Sequence, residues 1–345
     1  MNNKSVLIIA EMAWAHDGSI DKAIAIMKAA KEAGADAVGI HVTDIPAYMV
    51  PHYGSGEGRV SAGKEHMKVY QYLQDINLTT NNWIDFAAAA RATGIALCVM
   101  PNDNVSLEFC ERSIQPEYYV LSAAAFVEAE FIKAVAQTGR HTILRIGGAT
   151  MGEIESAVNI FRAHEGRSVT LLHGFQNYPT KLEDTNIRQM ESLHELFGVP
   201  VGLADHIDGG DPIAKAVPLL ALALGAKCLE KHITWDRAEK GEDFEAALNP
   251  QDFKEFVSFV RAGEIALGER HWGELSAAAE RYRNVSRKRM VAVHAIPSGT
   301  VLRREDITFK RADVGISPSQ LEAVVGRTLK NDLVENDGIT LGDLL

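Results

Sequence analysis

Residues 20–42 read IDKAIAIMKAAKEAGADAVGIHV, and this stretch decides the fold. Its first fifteen residues space apolar side chains three and four apart and end on Gly34, where a helix C-terminus favours a residue that tolerates positive φ. The DAVGIHV that follows is a near-continuous apolar run, as expected of a strand buried on both faces. The same unit recurs along the chain. Strand candidates lie at VLIIA (6–10), IALCVM (95–100), YYVLS (118–122), TILRIG (142–147), VTLLHG (169–174), VPVGLAD (199–205) and AKCLEKHI (226–233). Between them stand helical patterns such as NNWIDFAAAARATG, VEAEFIKAVAQTG and MGEIESAVNIFRAHEG, each closed by glycine, and a last helix is expected near 250–267. Eight such units within residues 1–270 predict a (β/α)₈ barrel, a TIM-type α/β fold. The other arrangement of these elements is an open doubly wound sheet, but no GxGxxG turn follows the first strand.

Beyond the barrel the pattern changes. Residues 289–345 alternate short strand-like runs with turn signals (PSG, NDG) and read as a small β-rich domain, with 271–288 as a charged linker. The chain has 345 residues, 46% of them hydrophobic, and a formal net charge of -11 without a Lys/Arg cluster. That balance argues against nucleic-acid or anionic-membrane partners and favours small molecules. No apolar run approaches the roughly 20 residues that span a bilayer. The polar start MNNK runs directly into a strand without a signal-peptide h-region, and Cys98, Cys110 and Cys228 lack metal-type spacing. Reduced core thiols and a cytoplasmic protein are therefore expected.

In a barrel of this kind, chemistry belongs at the C-terminal strand ends. There the sequence offers Glu11, His41, Arg145, His173, Asp205 with His206, and Glu230 with His232. His206 and His232, on neighbouring strand ends about 4.8 Å apart, can converge on one divalent ion; the bland alternative is two hydrogen-bonded rim histidines. Glu230 shares a strand face with His232 and is a candidate ligand-orienting group or base. His41 sits at the mouth of an apolar strand, two residues after Gly39. His173 reads as a satisfied barrel-interior histidine, and the GG of RIGGAT as a tight turn or an anion-facing backbone. Asp205 reads either as an orienting partner of His206 or as a helix cap.

The runs AEMAWAHDG, LLHGFQNYPTKLEDTNI, FGVPVGLADH, LGAKCLEKHITWDR and GEDFEAALNP resemble the sialic acid (nonulosonic acid) synthase family, and VAVHAIPSGTVLRREDITFKRADVGISP resembles its C-terminal antifreeze-like (SAF) domain. The resemblance implies a barrel enzyme that condenses phosphoenolpyruvate with an N-acetyl-mannosamine-type sugar, assembled as a domain-swapped homodimer. It implies Mn²⁺ or Mg²⁺ at His206 and His232, polarising the sugar aldehyde. It places Glu11 near the reacting carbons, Tyr178 and Asp243 against substrate, and Arg311 in the partner's sugar site.

The departures from the family pattern are concentrated. Where the family has a phosphate-binding lysine and a glutamine on strand two, this chain has Gly39 and His41. Family positions on strand four become Val120, Ala123 and Ala125, a serine at strand five becomes Arg145, a strand-seven serine becomes Ala204, and an asparagine becomes Gln176. Most of the grip on phosphoenolpyruvate is thus altered, with Arg145, and more remotely Arg59 or Lys64, as substitute anion contacts. Three functions follow. The first is a metal-dependent carbon–carbon condensation with a remodelled donor pocket. The second is a metal-dependent aldolase, lyase or enolising enzyme using another donor, and the third a non-catalytic sugar-binding or regulatory homologue. Glu11, Glu230 and His41 are the candidate catalytic residues. Arg145, Gln176, Tyr178, Asp243 and Arg311 are the candidate substrate contacts, and His41 is either a third metal ligand or a reader of the donor. The Gly-rich stretch 42–60 is a lid or a solvated connection.

Overall fold

The computed structural model describes residues 5–53, 68–164, 168–174, 179–268 and 273–345. Eight parallel strands, β1 (Leu7–Ala13), β2 (Ala37–Val42), β3 (Ala96–Pro101), β4 (Tyr118–Ser122), β5 (His141–Arg145), β6 (Val169–His173), β7 (Val201–Asp205) and β8 (Cys228–His232), close into a barrel in chain order, with β1 paired to β8. The expected (β/α)₈ architecture is therefore the observed one. Alternation along each strand sorts the side chains. Ile9, Ala37, Cys98, Val120, Ile143, Leu172, Ala204 and Cys228 fill the barrel interior, while their neighbours, such as Ile8, Val38, Val99 and Leu171, pack outward against the helices. Both faces are dry, which is why the strands read as continuous apolar runs rather than as alternating ones.

Local chemistry sets the helix ends. Ser19, Thr79 and Thr150 accept hydrogen bonds from backbone N–H groups three residues on, and Asn82 and Glu153 complete capping boxes. Gly34 and Gly94 close the first two long helices in the left-handed region, as their sequence positions predict. The helix Met151–Arg162 stops earlier than expected: Ala163 N–H closes its last turn on Asn159, and Gly166 lies outside the described residues. The three cysteines are buried and unpaired.

The chain divides into two compact units, Met1–Gly268 and Glu269–Leu345. In the second, β9 (Lys288–Ala292) and β10 (Ile307–Arg311) pair antiparallel over a small core that includes Met290, Leu302, Leu329 and Ile339. Residues 277–286, within the stretch expected as a linker, form a helix capped by Ser276 and bury no side chain. No helix among the described residues is long and apolar enough to cross a membrane.

Candidate active site

Strand β1 does not run straight into its loop. Its register against β2 shifts between Glu11 and Ala13, and Ala13 takes a φ of 46°, so the strand ends in a bulge that turns the Glu11 carboxylate into the barrel mouth. Glu11 Oε1 accepts the Ala13 N–H at 2.7 Å. Its other oxygen, Oε2, accepts from Arg145 Nη2. Arg145, at the end of β5 and 3% exposed, also donates through Nη2 and Nε to Glu230 Oε2, at 2.7 and 3.0 Å. One guanidinium thus ties together two buried carboxylates contributed by β1 and β8. The expectation of Arg145 as an anion contact for substrate has to be corrected in one respect: its planar fork already serves two internal anions.

Gly39 belongs to this arrangement. It lies beside Glu11 in the β1–β2 register, and a Cβ there would stand 2.2 Å from Glu11 Oε2 and 2.8 Å from its Cδ. The glycine therefore does more than vacate a lysine position. It provides the space in which the Glu11 carboxylate reaches Arg145.

Next to Glu11 on the rim, His206 follows β7, and Glu230 and His232 end β8, with His232 beside Glu11 in the β1–β8 register. The two imidazole rings lie 5.1 Å apart between centroids, and one ligand atom from each of His206, Glu230 and His232 lies within 4.8 Å of the others. All three residues are buried. Burial holds both imidazoles neutral, His206 at about 3 and His232 well below its ordinary value, with the charge of Arg145 contributing to each. Burial pushes the Glu230 carboxyl up to about 7 against the pull of Arg145. Glu230 Oε1 is shielded from solvent and has no hydrogen-bond partner among the described residues. Two neutral imidazoles and an orphaned carboxylate oxygen are a donor set that fits a divalent cation such as Mn²⁺ or Mg²⁺. Asp243, at a φ of 59°, brings Oδ2 to 3.9 Å from His232 Nδ1.

His41 lies apart from this cluster. Its Nδ1 accepts the indole N–H of Trp14 at 3.1 Å, and its Nε2 faces Glu11 Oε1 at 3.7 Å. The expectation that His41 is a third metal ligand is not supported by this placement, because the ligand atoms that meet are those of His206, Glu230 and His232. Trp14 was missed in the sequence although it stands within AEMAWAHDG. Asp205 plays neither role first considered for it. Lys231 donates to Asp205 Oδ2 at 3.0 Å and to the Ile207 carbonyl at 3.1 Å, and Asp205 Oδ1 accepts the Ile207 N–H. Alternation puts Asp205 and Lys231 outward, beneath the helices, and their register pairs them. His173 is a satisfied buried residue, its Nε2 2.9 Å from the Thr185 carbonyl. Arg311 lies exposed on β10, donating to the Ser286 carbonyl. Gln176, Tyr178, Arg59, Lys64 and the second half of the proposed lid fall outside the described residues; the first half contains a short helix, Ile45–Tyr48, capped by Asp44.

The comparisons with known proteins agree with this fold. The NeuB family model matches residues 26–272 and the SAF domain model residues 290–345. An uncharacterized protein of Methanocaldococcus jannaschii is 31% identical over 98% of this chain and 94% of its own. Pseudaminic acid synthase of Campylobacter jejuni is 29% identical over 99% and 97%. The crystal structure of an N-acetylneuraminic acid synthetase from Leptospira borgpetersenii superposes with a TM-score of 0.70 at 26% identity, covering 82% of this chain and 93% of that one.

Proposed function

This chain belongs to the NeuB family, and on that premise we propose that it is a nonulosonic acid synthase-type enzyme. It joins an enol donor to the aldehyde carbon of an amino-sugar or related polyol in a metal-dependent condensation. The observation that carries this reading is the convergence of His206, Glu230 and His232 at the C-terminal rim, beside Glu11. His206, Glu230 and His232 would hold a divalent cation, which would supply Lewis-acid polarisation of a carbonyl oxygen. The chain's own residues do the remaining work. Arg145 holds the Glu11 and Glu230 carboxylates in fixed orientation. Glu11 Oε1, anchored by the Ala13 N–H, is an acceptor for a substrate hydroxyl or a transferring proton. Glu230 Oε2 accepts from Arg145, and burial raises the Glu230 carboxyl to about 7. Glu11, Arg145 and Glu230 are buried, which strengthens each of these interactions.

The test is direct. Protein loaded with Mn²⁺ is incubated with phosphoenolpyruvate and a panel of N-acetylated amino-sugars. Phosphate release with at least one acceptor, lost in His206→Ala, is expected. No release from metal-loaded protein with any acceptor removes the condensation reading.

A second reading, aldol or enolising chemistry with a donor that lacks phosphate, has its own support. The Arg145 guanidinium is engaged by two carboxylates, and Gly39, Val120, Ala123 and Ala125 offer no cation to a phosphate dianion. We further propose, on the family resemblance, a domain-swapped homodimer carrying Arg311 into the partner's site, and a cytoplasmic location. Sedimentation velocity with Arg311→Ala, expected to keep the dimer and weaken sugar binding, tests the first.

A further inference from the structure

At the mouth, a hydrogen bond to His41 locates the proton of its imidazole. An indole N–H only donates. Because Trp14 Nε1–H points at His41 Nδ1 from 3.1 Å, Nδ1 carries the lone pair and the proton of the neutral ring sits on Nε2. Trp14 is itself fixed, packed in a cluster with Ala13 and Ile45, and its ring stands edge-on to the imidazole at 89°. Burial and the nearby Arg145 charge keep His41 neutral, at about 3. The groups around it are Glu11 on β1, Arg145 on β5, His232 on β8 and His16 in the loop after β1.

Among the described residues the Nε2–H meets no acceptor, and it is shielded from solvent. Its nearest acceptor, Glu11 Oε1, is 3.7 Å away, beyond hydrogen-bond length. A buried donor without an acceptor is costly, and a site that carries one is built for a ligand that supplies it. The spacing defines that ligand. An oxygen lying about 2.8 Å from both atoms would accept from His41 Nε2–H and would have to donate to the Glu11 carboxylate. Of the common oxygen functions, a hydroxyl or a water does both; a carbonyl or a carboxylate accepts only.

We propose that Trp14, His41 and Glu11 form a hydroxyl-recognition site, in which Trp14 fixes His41 as an Nε2–H donor that binds a hydroxyl of a polyol-type substrate and takes no part in holding the metal. This deepens the proposed function and rests on its reading of the rim as the active site.

The test is two-bond ¹H–¹⁵N NMR of the histidine rings in the full chain at pH 7.5. His41 should show a protonated Nε2 and an unprotonated Nδ1. Adding Mg²⁺ should move the His206 and His232 signals and leave those of His41 in place. Titration with glycerol as hydroxyl probe should shift the His41 Nε2 proton saturably, and Trp14→Phe should abolish the tautomer preference. If that variant does not fold, the wild-type spectra alone decide. A protonated Nδ1, or a His41 shift with Mg²⁺ matching those of His206 and His232, overturns the whole assignment. An Nε2 proton unmoved by glycerol overturns the hydroxyl assignment. None of these readings depends on catalysis, so absence of phosphate release leaves this result standing or falling by itself.

Discussion

The two arcs of the barrel mouth place their polar groups differently. Strands β7, β8 and β1 bring His206, Glu230, His232 and Glu11 to the rim, whereas β3 and β4 offer Met100, Val120 and half-buried Ser122. The first arc keeps a lone pair, Glu230 Oε1, without a hydrogen bond among the described residues. In the second, the interior surface is apolar and needs no partner. Arg145, from β5, reaches across to neutralise the charged arc. The first arc is where the proposed cation and substrate oxygens would bind; on the second, the described strand-end residues Met100, Val120 and Ser122 carry no charge.

The sharpest way to break this contrast is to remove the tie. Arg145→Met leaves Glu11 and Glu230 as buried carboxylates without their common counter-ion, and breaking one side of a buried ion pair costs about 3–5 kcal/mol. Urea unfolding at pH 7 should show that loss. A variant as stable as the parent would mean that the two carboxylates do not depend on Arg145, and the charged arc would need another explanation.

The charged arc should also be more sensitive to pH than the apolar one. Glu230 titrates at about 7 because it is buried, and a carboxylate must lose its proton to ligate a cation. Well below pH 7, binding therefore releases one proton and cation affinity falls about tenfold per pH unit, which is about fiftyfold from pH 7 to 5. Above pH 7 it levels off. His206 sits near 3 and adds nothing in this window. Mn²⁺ titration followed by electron paramagnetic resonance gives the curve. A dissociation constant that stays flat between pH 5 and 7 would remove Glu230 from the ligand set.

How much of this was legible in the sequence differs between the same arcs. The barrel was readable because strands buried on both faces leave long apolar runs, and His206 and His232 were readable because they end adjacent strands. Lys231 was readable in principle: standing between Glu230 and His232, it must face away from them, and the register then hands it to Asp205. The Glu11–Arg145–Glu230 tie was not, since its members are 134 and 85 residues apart and meet only across the closed barrel. Nor was the bulge at Ala13, whose positive φ falls on a residue type with no preference for it. Trp14 escaped notice because an aromatic after a strand reads as packing. Its role depends on where one N–H points.

Gly39 is where the sequence and the structure give opposite readings, and it supports the smallest and most discriminating test. Read as sequence, it is a lost side chain; read in the structure, it is space already used by a carboxylate. If the space matters, Gly39→Ala forces Glu11 away from Arg145 and costs about 2 kcal/mol, within the range for overpacking a dense core. The cost should vanish when Glu11→Ala is made first, because the atom that the new methyl would strike is gone. Residues in contact fail additivity in this way, and distant ones do not. Thermal unfolding of the two single variants and the double variant measures the coupling. If the two effects simply add, Gly39 and Glu11 act independently, and the glycine is an absence after all.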